Sequence, residues 1–172
     1  GCEDVDTDST AYNKWHGMLH RCYSTKVHEK YPEYIGCIVS EEWKNFSNFR
    51  YWYEKNNYGG SNLNLDKDIL YKGNKIYSPD TCCLVPGFIN TLFTNRKANR
   101  GELPLGVYKE EKNGKTCYRA GMEVNGQSIK LGTFKTPEEA FQKYKEYKEQ
   151  YIKDTAKRYK DKIPYSVYEA MM

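Results

Sequence analysis

Apolar residues recur along the first fifty positions at the three-and-four spacing of amphipathic helices. Ala11, Trp15, Met18, Leu19 and Cys22 share one face of a helix that Ser9 is placed to cap. Residues 35–39 form a short apolar run, read as a strand. Ser40-Glu41-Glu42 follows as a helix start, a capping hydroxyl ahead of two acids that suit the positive end of the helix dipole. Trp43, Phe46, Phe49, Trp52 and Tyr53 repeat at helical spacing and are read as core rather than as a base-stacking surface. Gly59-Gly60 marks a loop over 57–62, and residues 63–70 are a strand-like run with charge inside it. Lys72-Gly73-Asn74-Lys75 reads as a turn. Ser78-Pro79-Asp80 then opens a helix expected over 80–92, which Pro86 should kink or split.

Beyond a polar, basic stretch at 95–102 (Arg96, Lys97, Arg100), read as an interdomain linker, the period changes to two. Residues 105–109, 116–124 and 128–134 are strand-length runs separated by Asn113-Gly114 and Asn125-Gly126, the dipeptide that favours tight hairpin turns. Thr136-Pro137-Glu138-Glu139 is a capping box with proline at the first helical position. The helix it opens carries Ala140, Phe141, Tyr144, Tyr147, Tyr151, Ile152, Thr155 and Tyr159 on one side. Alternation lets Val107, Tyr118, Ala120, Met122, Ile129 and Leu131 meet that side. Tyr108, Arg119, Ser128 and Lys130 are left on the other face, an arrangement suited to a groove of duplex DNA rather than to a core.

Charge sharpens this reading. Residues 1–94 carry 10 Lys+Arg against 12 Asp+Glu, whereas residues 95–172 carry 17 against 11, so the basic half is the one expected to meet a polyanion. The six cysteines include no CxxC pair, which argues against a zinc ribbon and for reduced core thiols. No apolar run is long enough to span a membrane, and the first residues, Gly-Cys-Glu-Asp, do not resemble a secretion signal. The expected compartment is cytosolic, with no membrane partner.

Two resemblances extend the picture. Leu105-Gly106-Val107, Tyr118-Arg119-Ala120, Leu131-Gly132-Thr133-Phe134 and Thr136-Pro137-Glu138-Glu139-Ala140 together resemble an AP2-type DNA-binding domain over about 50 residues. That resemblance implies a three-stranded sheet lying in the major groove, with Tyr108, Arg119, Ser128 and Lys130 as DNA contacts. The first half is similar to bacteriophage HNH-type proteins. The matching pieces are Trp15-His16-Gly17-Met18-Leu19-His20-Arg21-Cys22-Tyr23, Val39-Ser40-Glu41-Glu42-Trp43 with Phe46 and Phe49, Leu65-Asp66-Lys67-Asp68-Ile69-Leu70, and Tyr77-Ser78-Pro79-Asp80-Thr81-Cys82 running on to Asn90. The fold class so implied is α+β: a ββα-metal (HNH-like) domain over 1–94, the linker at 95–102, and an AP2-like domain over 103–172 that includes a C-terminal helix.

The HNH resemblance places Asp66 and Asn90, 24 residues apart, at positions that hold Mg²⁺ or Mn²⁺. It places Lys67 where the family has its general-base histidine, with Thr81 at the middle Asn position and Asp68 as a further candidate ligand or base. A lysine ordinarily titrates at about 10.4, so it is charged at neutral pH and takes no proton from water. It can still stabilise a phosphate electrostatically. The histidines, His16, His20 and His28, all fall earlier in the chain, with His16 and His20 spaced as an i, i+4 pair. Two expectations follow. One is a homing-type endonuclease that cleaves double-stranded DNA with a divalent metal. The other is a nuclease-derived binding protein without catalysis, acting as a DNA-binding regulator or as an antagonist of a host or defence protein complex.

Overall fold

The computed structural model describes residues 10–58, 62–93, 102–124 and 126–172, and the fold is mixed α+β. The chain divides into two compact units, Gly1–Phe93 with Asp161–Ala170, and Thr94–Lys160 with Met171–Met172. Ser9 and most of the expected linker lie outside the described residues.

In the first unit, helix α1 (Thr10–Tyr23) buries Ala11, Met18 and Cys22 and packs on α3 (Phe46–Asn56). A short helix α2 (Thr25–Lys30) is capped by the Ser24 side chain, which accepts a hydrogen bond from Val27 N. The helix expected at Ser40 differs in detail. Ser40 caps nothing with its side chain, Glu41–Lys44 forms one 3-10 turn, and Asn45 caps α3 by accepting from Ser47 N at 2.9 Å. Trp43 and Phe49 are fully buried, with their rings edge to face at 5.0 Å, so the aromatic stripe is core. Of the run 35–39 only β1 (Ile38–Val39) is strand, pairing in parallel with β3 (Ile76–Tyr77).

Strand β2 (Leu63–Asp66) is shorter than the apolar run 63–70. Asp66 ends it by turning its side chain onto the backbone that follows. It pairs antiparallel with β4 (Cys83–Pro86), with Asp66 opposite Cys83. Here the sequence reading is corrected: residues 83–86 are strand, and helix α4 (Gly87–Phe93) starts only after Pro86. The physical reason is burial. Cys82, Cys83, Leu84 and Val85 are all buried, and a continuous apolar run of that length suits a strand covered on both faces. Pro86 sits at its last position, where a missing N–H costs little. Helix α4 packs on both β2 and β4.

The second unit is a three-stranded antiparallel sheet, β5 (Val107–Lys112), β6 (Lys115–Val124) and β7 (Gln127–Phe134), with helix α5 (Pro137–Tyr159) packed on all three strands. Asn113 and Gly114 take φ of 52° and 72°, the two positive values of a primed hairpin turn. Gly126 is likewise positive; Asn125 is outside the described residues. The capping box is complete, Thr136 accepting from Glu139 N while Glu139 accepts from Thr136 N. Val107, Ala120 and Ala140 form the buried centre, with Tyr118, Leu131, Phe134 and Phe141 around it.

A bulge between Ala120 and Gly121 places Gly132 opposite Ala120 and Lys130 opposite Gly121, leaving Leu131 as the extra residue. That phase shift lets Leu131 and Phe134, three apart, both pack on the helix side, which strict alternation forbids. Gly106, at φ 75°, lies against the Tyr144 ring, which any Cβ would overlap. The long helix α5 runs to Tyr159, as its apolar spacing predicts, and a further short helix follows. A 3-10 turn covers Lys160–Lys162, and helix α6 (Tyr165–Met171) begins after Pro164. Residues Asp161–Ala170, with Ile163 and Val167 buried, group with the first unit rather than with the sheet that precedes them.

Candidate functional site

The Asp66-Lys67-Asp68 segment leaves β2 as a tight turn. Asp66 Oδ1 accepts from Asp68 N at 2.7 Å and from Ile69 N at 2.8 Å, the self-capping turn that aspartate favours. Burial pushes the Asp66 carboxyl up, against the opposing pull of those two backbone donors. Lys67 is turned inward and only 6% exposed. Its ammonium donates to Asp68 Oδ2 at 2.6 Å and to the Asn74 carbonyl at 2.7 Å. Lys67 therefore pairs with Asp68, not with Asp66.

The loop that follows is knitted to the same lysine. Asn74 Nδ2 donates to the carbonyls of Lys67 and Ile76, and Asn74 Oδ1 accepts from Ile76 N at 3.0 Å. The Lys67 ammonium lies 6.0 Å from the centre of the Tyr77 ring. The same ring takes the Arg21 guanidinium at 5.6 Å, and Arg21 Nε donates to the Tyr77 hydroxyl at 3.2 Å. Burial pushes that hydroxyl above its ordinary range. Two cations sharing one buried ring is a packing device of the core, and sequence reasoning missed it because Arg21, Lys67 and Tyr77 are far apart in the chain.

Thr81 also has a local task, donating from Oγ1 to the Ile76 carbonyl at 2.7 Å. Asn90 is half-buried on α4, the helix that follows β4. The histidines lie on α1 and α2: His16 and His20 stack at 5.9 Å, and His28 Nε2 is 2.9 Å from the Arg21 carbonyl. Among the described residues no group of three or more His, Cys, Asp or Glu is arranged to hold a metal ion. Burial raises Cys22 to about 11 and Cys82 to about 12, so these thiols stay protonated at neutral pH.

The second unit presents a different surface. On the sheet face away from α5, register pairs Lys112 with Lys115, Glu110 with Cys117, Tyr108 with Arg119, Gly121 with Lys130 and Glu123 with Ser128. Tyr108, Arg119, Ser128 and Lys130 thus share one face. Its charge is four cations against two carboxylates. Lys112 and Lys115 stand directly opposite each other, and the Lys112 ammonium also lies 3.9 Å from the Glu110 carboxylate.

Arg119 is organised rather than loose. Its Nε donates to Glu110 Oε1 at 2.6 Å, and its guanidinium stacks 4.5 Å from the Tyr108 ring centre. The hydrogen bond from Arg119 holds the Glu110 carboxyl below its ordinary range. Glu110 and Gly121 were not legible as site residues. The two-residue alternation that placed Tyr108 outward also places Glu110 there, and is the one signal that pointed to it.

In comparisons with known proteins, no family model, no curated protein and no solved structure matches this chain. Among the described residues no helix is long and apolar enough to cross a membrane.

Proposed function

We propose that this chain is a nuclease-derived DNA-binding protein of HNH and AP2 type that binds duplex DNA without cutting it. Binding is assigned to the open face of the second unit. The observation that carries it is the convergence of Arg119, Lys130, Lys112 and Lys115 with an exposed tyrosine on one uncovered sheet face, 2.6–4.5 Å contacts having already fixed the arginine. A short ribbon of this kind fits the major groove, where arginine and lysine reach base edges and phosphates.

The HNH half of the reading is supported by element order. An antiparallel strand pair, β2 and β4, is followed directly by α4, with Asp66 ending the first strand and Asn90 on the helix. Its residues fit a divalent ion poorly. Asp66 Oδ1 is already bound to two backbone N–H groups, and the Asp68 carboxylate is neutralised by the Lys67 ammonium. Mg²⁺ favours one or two carboxylates backed by waters, and a buried ammonium at the neighbouring carboxylate opposes it. At the general-base position stands a lysine tied to two acceptors. The segment reads as a catalytic turn converted into a structural one.

Fluorescence anisotropy of the full chain with labelled duplex DNA tests the binding. Affinity is expected to fall steeply with salt as phosphate counterions are released. Absence of binding to any duplex at low salt overturns the proposal.

A further inference from the structure

We infer that Glu110 is a positioning residue that makes Arg119 a reader of guanine instead of a phosphate contact; this rests on the DNA-binding reading above. Two contacts hold the guanidinium and a glycine gives it room. Glu110 Oε1 takes the Nε hydrogen at 2.6 Å, Cζ lies over the Tyr108 ring at 4.5 Å from its centre, and Gly121 leaves room at Nη1. A Cβ at Gly121 would come within 3.1 Å of Arg119 Nη1, 3.2 Å of the Ile129 carbonyl and 3.6 Å of Tyr108 Cε2. With Nε committed to Glu110, the two terminal nitrogens are left as the donor pair, with Nη1 beside Gly121, whose register partner is Lys130.

That fork matches the O6 and N7 acceptors of guanine in the major groove. A phosphate is the poorer match, because its charge would approach the Glu110 carboxylate. The second oxygen of Glu110 also faces a cation, Lys112 at 3.9 Å, so the carboxylate sits between two positive groups. Arg119 and Glu110 side chains are 25% and 28% exposed, accessible at the edge but not mobile as an isolated surface arginine would be. A neutral base edge tolerates the carboxylate; a polyanion does not. Glu110 thus lowers affinity for DNA in general while preserving the geometry that discriminates one base pair.

The test uses the full chain and two variants, E110A and E110Q. Wild-type protein is first used to select duplexes from a pool with a randomised centre. Affinities are then measured for the selected duplex, for the same duplex with its guanine replaced, and for a scrambled one. Wild type is expected to prefer the guanine duplex by about tenfold or more. E110A, which loses both charge and acceptor, is expected to lose most of that preference while binding scrambled DNA several-fold more tightly. E110Q keeps an acceptor for Nε, so it is expected to retain the preference while also binding scrambled DNA more tightly. Circular dichroism of each variant reports whether the sheet is intact.

A wild type that binds DNA with no guanine preference overturns the inference. So does an E110A variant that is folded and keeps the full preference, or one whose affinity falls equally for every duplex. Failure of wild type to bind any duplex overturns the DNA-binding reading, and this inference falls with it.

Discussion

Replacing Lys67 separates a structural lysine from a catalytic one. Lys67→Met keeps most of the buried stem and removes the ammonium. The hydrogen bond to the Asn74 carbonyl, 2.7 Å and partly buried, comes from a charged donor, a class that contributes about 1.5–3 kcal/mol. The pair with Asp68 adds about 0–1 kcal/mol, because the Asp68 side chain is 45% exposed and solvent screens it. The expected loss for Lys67→Met is therefore about 1.5–4 kcal/mol. Lys67→Ala removes three further buried methylenes, at ~0.8 kcal/mol each, and should lose about 2 kcal/mol more. All three tryptophans, Trp15, Trp43 and Trp52, lie in the first unit, so tryptophan fluorescence in urea reports this unit and not the sheet. A functional group held against its own preference stabilises the protein when removed. A Lys67→Met variant at least as stable as wild type would refute the structural assignment.

Four further outcomes are expected. Asp66→Ala loses two backbone hydrogen bonds and should cost about 1–3 kcal/mol by the same fluorescence assay, whereas Asp66→Asn keeps an acceptor at Oδ1 and should cost less. The raised Asp66 carboxyl means the folded state holds its proton more tightly than the unfolded chain does. Its penalty is absent below the unfolded value, about 3.9, and grows as pH rises through the folded one, so urea midpoints of Asp66→Asn should fall less over that rise than those of wild type. Gly106→Ala forces a side chain into the Tyr144 ring at positive φ, and should lower the melting temperature followed by circular dichroism; an unchanged melting temperature would refute the close approach. Lys130→Ala should weaken DNA binding and reduce the slope of log affinity against log salt by about 1; an unchanged slope would remove Lys130 from the interface.

The second unit was nearly legible from its sequence because its signals are local. Asn113-Gly114 set the first hairpin, Thr136 and Glu139 set the helix start, and alternation set the two sheet faces. What local pattern missed was the bulge at Ala120/Gly121, which carries Phe134 to the helix side. The first unit was harder because its strands are short and its pairings distant. The run Cys82 to Val85 has no periodicity that distinguishes a buried strand from a helix, and only its pairing with residues twenty positions earlier decides the matter. The same limit applies at the candidate site. Nothing in Asp66-Lys67-Asp68 reveals which carboxylate the lysine chooses; that depends on Asn74 and Tyr77 closing over it.

Binding without cutting is decided by one incubation. Purified full-length chain is mixed with supercoiled plasmid carrying a selected site, at low salt, with Mg²⁺ or Mn²⁺, and the same samples are resolved as bound complex and, after protease treatment, as naked plasmid. Retarded plasmid is expected, returning wholly to the supercoiled form once the protein is removed. Accumulation of nicked or linear plasmid that requires the divalent ion and disappears with Asp66→Ala would contradict it.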